Sequence, residues 1–312
     1  MGNKITIIGA GSVGATIAYT LSSETLATDI VLIDINKQKA EGEVMDIMQG
    51  TAFRDPITVT SGDYDLAKDS NIVIITSGIA RKPGQTRLDL TKINVGIMKD
   101  IAKNIAPVAP NALYIIVSNP VDIMTYTFTK ESGIPEKQII GSGTSLDTAR
   151  LRSLLAKECA ISQQNVHAYI FGEHGDSSFV PWSMATVAGV PVPEYYEKYR
   201  PAIDNIPFDP DKIIDYVRTS GGVIIANKGA TFYAIATSVV RLCKLVLSAH
   251  SSVATVSTMM HGEYGLDDVC LSVSTVIGPR GVRGRIELPL SDDEVEKLHY
   301  SAKQLKDMIA QI

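Results

Sequence analysis

The chain of 312 residues sets 29 Lys+Arg against 34 Asp+Glu, a formal net charge of −5, with 45% hydrophobic and 20% charged residues. It exceeds the size at which one core stops growing, so two domains or one large α/β unit with a second lobe are expected; the acidic balance, with no Lys/Arg-rich run, excludes a nucleic-acid partner held by broad electrostatics. No apolar run reaches a membrane span, the first residues open a strand instead of a signal peptide, and Cys159, Cys243 and Cys270 form no C-x-x-C pair. A cytoplasmic location is therefore expected, with no membrane association, disulfide framework or metal site.

Ile5-Thr6-Ile7-Ile8 is a short β-branched run, followed by Gly9-x-Gly11-x-x-Gly14 and a helical stretch through Leu21. This is the strand-turn-helix context of a dinucleotide fingerprint. Gly9 permits the tight turn, Gly11 lets the backbone approach a pyrophosphate, and Gly14 lets the helix pack close to the strand, with the helix N-terminus facing the phosphates. Asp34 stands 20 residues beyond Gly14, at the end of the next strand, residues 30–33. Its carboxylate suits a ribose 2′-hydroxyl and repels a 2′-phosphate, so NAD is expected over NADP. Further βα units follow, with strands at 71–76, ending in Ser77-Gly78, and 112–117, ending in Ser118-Asn119-Pro120. Ligands collect at the carboxyl ends of such strands, which makes Thr76, Gly78 and Asn119 candidates for cofactor contact. Residues 139–143 read as the last strand of this half. The expected organisation is α/β: a Rossmann doubly wound parallel sheet over 1–143, then a mixed α+β catalytic domain over 144–312.

The second half reads as a helix from 146 to about 159, a histidine-bearing loop, a long helical region from 211 to about 250, and strands around 269–277. Ser291-x-x-Glu294 is a capping box, with Leu290 and Val295 as its hydrophobic staple, so the final helix starts at Asp292. Val295, Leu298, Ala302, Leu305 and Ile309 form its apolar stripe, core or subunit interface. Gly172-Glu173-His174-Gly175-Asp176 brackets an imidazole with two glycines, in a chain with only five histidines. Upstream, the three-residue step from Asp147 to Arg150 places a carboxylate and a guanidinium on one helical face. A carboxylate, an imidazole and an arginine are the parts of a proton-transfer site for an anionic substrate.

Five segments together resemble the L-lactate/L-malate dehydrogenases over the whole chain: 9–14, Arg81-Lys82-Pro83-Gly84-Gln85-Thr86-Arg87-Leu88-Asp89-Leu90, Val117-Ser118-Asn119-Pro120-Val121-Asp122, 145–152 and 172–176. The resemblance implies that protonated His174 gives a proton to the ketone oxygen as NADH gives a hydride to the carbon. Asp147 would hold the ring and raise its pKa, Arg150 would grip the substrate carboxylate with two hydrogen bonds, and Arg87 would polarise the carbonyl. Asn119 would add a donor at the same oxygen, and Thr231 would line the side-chain pocket. The segment 79–90 looks like the family's lid. The implied cofactor-binding set is Gly9, Gly11, Ser12, Val13, Gly14, Asp34, Thr76, Gly78, Asn94, Val117 and Asn119, with NAD as cofactor.

The Gly-Glu-His-Gly-Asp form and Thr231 after Lys228-Gly229-Ala230 are similar to bacterial lactate dehydrogenases, but the residue before the lid's Lys-Pro-Gly is usually glutamine there and arginine in malate dehydrogenases. Here it is Arg81. Closing Arg81 over the methyl of pyruvate would bury an unpartnered cation, at about 3–5 kcal/mol, whereas a tenfold preference needs only about 1.4 kcal/mol. Malate/oxaloacetate is therefore the expected substrate pair, with lactate/pyruvate as the alternative. The resemblance also implies a homotetramer, and it marks Arg152 and His167 as the contacts through which bacterial relatives bind fructose 1,6-bisphosphate between subunits. An NAD-dependent glycosidase should carry a cysteine/histidine metal site, for which no cysteine lies near His174 or Asn119. A non-enzymatic NAD-binding descendant should have lost some of Arg87, Asp147, Arg150 and His174, and all four are present.

Overall fold

The β-branched run Lys4–Ile8 forms β1 in a computed structural model that describes residues 2–79, 86–199 and 207–312. Ile5 and Ile7 enter one hydrophobic cluster and Ile8 another on the opposite face, the alternation of a strand buried on both sides. There follow α1 (Ser12–Ser22), β2 (Asp29–Ile33), α2 (Lys37–Gly50), β3 (Thr58–Ser61), β4 (Ile72–Ile75), α3 (Arg87–Ile105), β5 (Leu113–Ile116), α4 (Val121–Glu131) and β6 (Ile139–Gly141). These strands lie in the order β3-β2-β1-β4-β5-β6 and pair in parallel. This is the expected doubly wound sheet, and its direction of progress reverses between β1 and β4, where such folds bind ligands.

The second half comprises α5 (Ser145–Glu158), a small antiparallel sheet of β7 (Val166–His167), β8 (Thr186–Val187) and β9 (Val190–Pro191), then α6 (Val192–Lys198), α7 (Pro210–Lys228), α8 (Tyr233–Leu247), β10 (Ser252–His261), β11 (Asp267–Gly278), β12 (Gly281–Arg285) and α9 (Asp292–Ile309). The antiparallel β10-β11-β12 array joins β6 where Ser257 opposes Gly141, so the parallel sheet continues into strands of the second half. A third apolar cluster fills the space among α5, α6, α7 and the small sheet, with Leu151, Leu155, Val187, Val192 and Val217 at its centre.

The helical region expected over 211–250 is two helices. Gly229 caps α7 at φ +85, and its amide donates to the Ile225 carbonyl at 2.8 Å; this left-handed cap, which glycine adopts without a Cβ clash, turns the chain before α8. The final helix starts as expected, with both capping-box bonds between Ser291 and Glu294 present. Leu298, Ala302 and Leu305 of its stripe are buried in the core.

Candidate active site

The glycine turn after β1 separates three roles that the spacing alone leaves mixed. Gly9 sits at φ +110, a conformation only glycine takes easily. A Cβ on Gly14 would lie 1.8 Å from the Gly9 carbonyl oxygen, so the close approach of α1 requires glycine there. Nothing lies within 4 Å of a Cβ built on Gly11, so the chain itself does not demand glycine at that position and the space beside it is open to a ligand. Ser12 and Val13 follow as the first residues of α1, whose N-cap is Gly11.

A cavity of about 690 Å³ opens beside this turn, lined among others by Gly9, Gly11, Asp34, Thr76 and Gly78. Asp34 accepts the Ala10 amide at 2.6 Å on one oxygen and the Asn36 amide at 2.8 Å on the other, so it braces the glycine loop as well as facing the cavity. Thr76 donates its hydroxyl to the Ile8 and Gly9 carbonyls at 3.2 and 3.1 Å. Asn94 is buried, and its carboxamide is committed to the protein: Oδ1 accepts the Ile79 amide at 2.9 Å and Nδ2 donates to the Asn119 carbonyl at 2.8 Å. It ties the end of β4 to the end of β5. Val117 is buried, and Asn119, exposed, precedes a cis peptide to Pro120.

Across from this wall, α5 delivers Asp147 and Arg150 on one face. Asp147 Oδ2 lies 2.5 Å from His174 Nδ1, and Asp147 Oδ1 accepts from Arg150 Nη1 at 2.9 Å. The Asp147 side chain is 7% exposed and that of Arg150 14%, whereas His174 keeps 28%, so the carboxylate is enclosed while the imidazole retains an open side. Asp147 raises the His174 pKa to about 9, against the opposing effect of burial. Burial pushes the Asp147 carboxyl up, but His174 and Arg150 outweigh it and hold the carboxyl below its ordinary value. The ring at neutral pH is an imidazolium tethered at Nδ1, which leaves Nε2 as a proton donor. A planar guanidinium beside it is suited to a carboxylate.

Arg87 is the first residue of α3, within the Thr86–Asp89 capping box, and pairs with Asp176 of the histidine loop at 2.8 Å. Both side chains are exposed, so the pair bridges the two walls while adding little stability. Arg81 and Lys82 lie outside the described residues. Thr231 is partly exposed in the turn between α7 and α8, and α7 reaches Arg150 through Gly221, where a built Cβ would lie 3.6 Å from the guanidinium. Arg152 points elsewhere, as the helical step requires: Nε donates to the Ala168 carbonyl at 2.9 Å and the guanidinium lies 4.9 Å from the Tyr169 ring centre. His167 is exposed on β7. Among the described residues no group of histidine, cysteine and acidic side chains could hold a metal ion.

A model of the lactate/malate dehydrogenase NAD-binding domain matches residues 3–141, and one of the family's alpha/beta C-terminal domain matches residues 144–312. The chain belongs to the lactate/malate dehydrogenase family. It is 44% identical over 306 residues to the L-lactate dehydrogenase of Acetivibrio thermocellus, covering 98% of this chain and 96% of that one. To the L-lactate dehydrogenase of a Thermoanaerobacter species it is 46% identical over 310 residues, with 99% of both chains covered. The ligand-bound minor L-lactate dehydrogenase of Enterococcus mundtii superposes with a TM-score of 0.94 at 38% identity, covering 100% of this chain and 98% of that one. As a member of this family the chain is an NAD-dependent 2-hydroxyacid dehydrogenase, and the open space at Gly11 and the Asp34-lined cavity fit a dinucleotide.

Three residues near the site escaped the sequence reading. Asp122 accepts the His174 backbone amide at 2.7 Å, Asp176 pairs with Arg87, and Ser301 of α9, from a distant part of the chain, accepts the Glu173 amide on its Oγ at 2.7 Å. Asp122 and Asp176 lay inside the quoted motifs, but nothing in their spacing shows what they touch. Ser301 has no local signal at all.

Proposed function

We propose that this dehydrogenase interconverts L-lactate and pyruvate. The observation that carries 2-keto-acid chemistry is the imidazolium of His174 fixed by Asp147, whose other oxygen takes Arg150, set in a Gly-Glu-His-Gly-Asp loop; the choice of lactate within that class is supported by the names of the relatives, L-lactate dehydrogenases across the full length. In this reading Gly9, Gly11, Ser12, Val13, Gly14, Asp34, Thr76 and Gly78 would hold NAD, and Asn94 and Val117 would shape the wall behind Asn119. NAD supplies the hydride. Arg150 holds the keto-acid carboxylate, Arg87 leaves Asp176 to polarise the carbonyl, Asn119 donates to the same oxygen, and His174 delivers the proton from Nε2 while Asp147 stabilises the charge left behind. Thr231 borders the substrate's far end.

This reading reverses the order expected from the sequence, where Arg81 alone carried malate. Arg81 remains the observation favouring oxaloacetate, since a lid arginine asks for a second carboxylate. Steady-state kcat/KM for pyruvate and oxaloacetate with NADH tests the two directly: pyruvate ahead supports the proposal, and oxaloacetate ahead overturns it in favour of malate. Arg81→Gln should raise the pyruvate-to-oxaloacetate ratio at least tenfold, about 1.4 kcal/mol; an unchanged ratio would remove Arg81 from specificity. We further propose the division into a 1–143 NAD-binding and a 144–312 catalytic domain, a cytoplasmic homotetramer, and a sugar-bisphosphate contact at Arg152 and His167.

A further inference from the structure

We infer that Asp122 is a positioning residue for the proton-transfer step, clamping the His174 main chain to the first turn of α4 and so fixing the imidazole relative to Asn119, three residues upstream. The inference rests on the reading of His174 as the proton donor.

Asp122 is the second residue of α4 and is 2% exposed. Its Oδ2 accepts the His174 amide at 2.7 Å. Its Oδ1 is buried without a hydrogen-bond partner among the described residues, as is the Ser257 hydroxyl beside it. A buried carboxyl is costly to hold without partners, and the main-chain donor that this one is paired with is the His174 amide. The bond it makes joins the two walls of the site from the buried side, as the exposed Arg87–Asp176 pair does from solvent: α4 follows directly on the β5 end that carries Asn119, and His174 lies on the loop of the second half. Asn94 anchors that same end from behind through the Asn119 carbonyl. The catalytic imidazole is thereby held at two points, its ring by Asp147 and its main chain by Asp122.

The charge of Asp122 acts on His174 as well. The groups facing it are His174 and Glu173 on the histidine loop, Ser257 on β10 and the buried Cys270 thiol on β11, with Asp147 and Arg150 reaching the same imidazole from α5. Burial lifts the Asp122 carboxyl to about 7, with Ser257 and His174 opposing, so through the alkaline range it is an anion behind the imidazolium and adds to the Asp147 effect.

The test compares Asp122→Asn, which keeps an acceptor and removes the charge, with Asp122→Ala, which removes both. Keto-acid reduction is followed with NADH across pH, and NADH affinity is measured separately by fluorescence. Asp122→Ala should lose on the order of 10²-fold in kcat with NADH affinity unchanged. Asp122→Asn should keep kcat within about threefold on the acidic side and move the alkaline limb of kcat/KM down by about one pH unit. A merely structural role would lower stability and leave the limb in place, which overturns the inference, as does wild-type behaviour of both variants. If Asp122→Ala does not fold, the limb of Asp122→Asn decides alone. His174→Asn separates the two levels: full activity in that variant refutes the proton-donor reading itself, whereas an inactive His174→Asn beside fully active Asp122 variants refutes only the inference.

Discussion

Replacing Asp147 by Asn removes one charge from the most tightly coupled part of the site. Asp147 is the main cause of the His174 pKa of about 9, against an ordinary imidazole value of 6.5, and it acts across 2.5 Å. An amide in its place can still meet Nδ1, but it no longer stabilises the imidazolium, while the burial that lowers the imidazole pKa persists. The pKa should fall by about 2.5 pH units or more, which is about 3 kcal/mol of imidazolium stabilisation. Ketone reduction needs the protonated ring, so activity is present below the His174 pKa and lost as pH rises through it. In the wild type the alkaline limb of kcat/KM should lie near pH 9; in Asp147→Asn it should lie near 6.5 or lower. At about pH 8 the protonated fraction drops from roughly nine-tenths to a few hundredths, a loss of about 30-fold. The same shift enters stability. A raised imidazole pKa in the folded state stabilises fully below the unfolded value of 6.5 and ceases to do so as pH passes about 9. Urea unfolding of the wild type should therefore weaken across that window, and that of Asp147→Asn should not. An unmoved alkaline limb in the variant would refute the assignment of Asp147 as the source of the shift.

Two glycines of the nucleotide turn should respond differently. Gly14→Ala must push a methyl against the Gly9 carbonyl oxygen, with a stability loss of about 3 kcal/mol and loss of NADH binding, whereas Gly11→Ala should fold within about 1 kcal/mol of wild type and lose NADH affinity selectively. Thermal unfolding with and without NADH separates them, and equal unfolding of the two variants would sink the distinction. Millimolar fructose 1,6-bisphosphate should lower the keto-acid KM and stabilise the tetramer in sedimentation, and Arg152→Gln should abolish both effects; an effect that survives the substitution would rule out this contact.

The legible parts of the chain are those in which one short segment serves one purpose. The Gly9-to-Gly14 turn, the capping box at Ser291 and the paired Asp147 and Arg150 each depend on neighbours a few residues away, so their spacing is enough. The region 211–250 is helical as expected, but its break is not legible for the complementary reason: the residues on both sides of Gly229 keep a helical pattern, and the break is set by a single backbone conformation at that glycine. The three short strands of two residues each are beneath any periodicity. Asp122 and Ser301 act across 52 and 128 residues of sequence on His174 and its neighbour, so their part in the site exists only once the sheet has brought α4, α9 and the histidine loop together.

The same division between local and assembled features explains why the reaction class was read more firmly than the substrate. In the proposed reading His174, Asp147, Arg150, Arg87 and Asn119 all address the end of the molecule that every 2-keto acid shares, a carboxylate beside a carbonyl, and their chemistry is indifferent to what lies beyond. Pyruvate and oxaloacetate differ only at the far end, and there the proposed reading offers Thr231 on the α7–α8 turn and Arg81 on the segment that the resemblance implies is a lid. Arg81 discriminates only to the extent that substrate binding strips water from its guanidinium. An arginine that keeps its charge in solvent when the lid closes pays little for a methyl neighbour, and one that is enclosed requires an anion. The Arg81→Gln ratio therefore measures the depth to which that cation is buried in the closed complex: a change near tenfold corresponds to a partly hydrated arginine, about 1.4 kcal/mol, and a change of several hundredfold to the full cost of an isolated buried charge, about 3–5 kcal/mol.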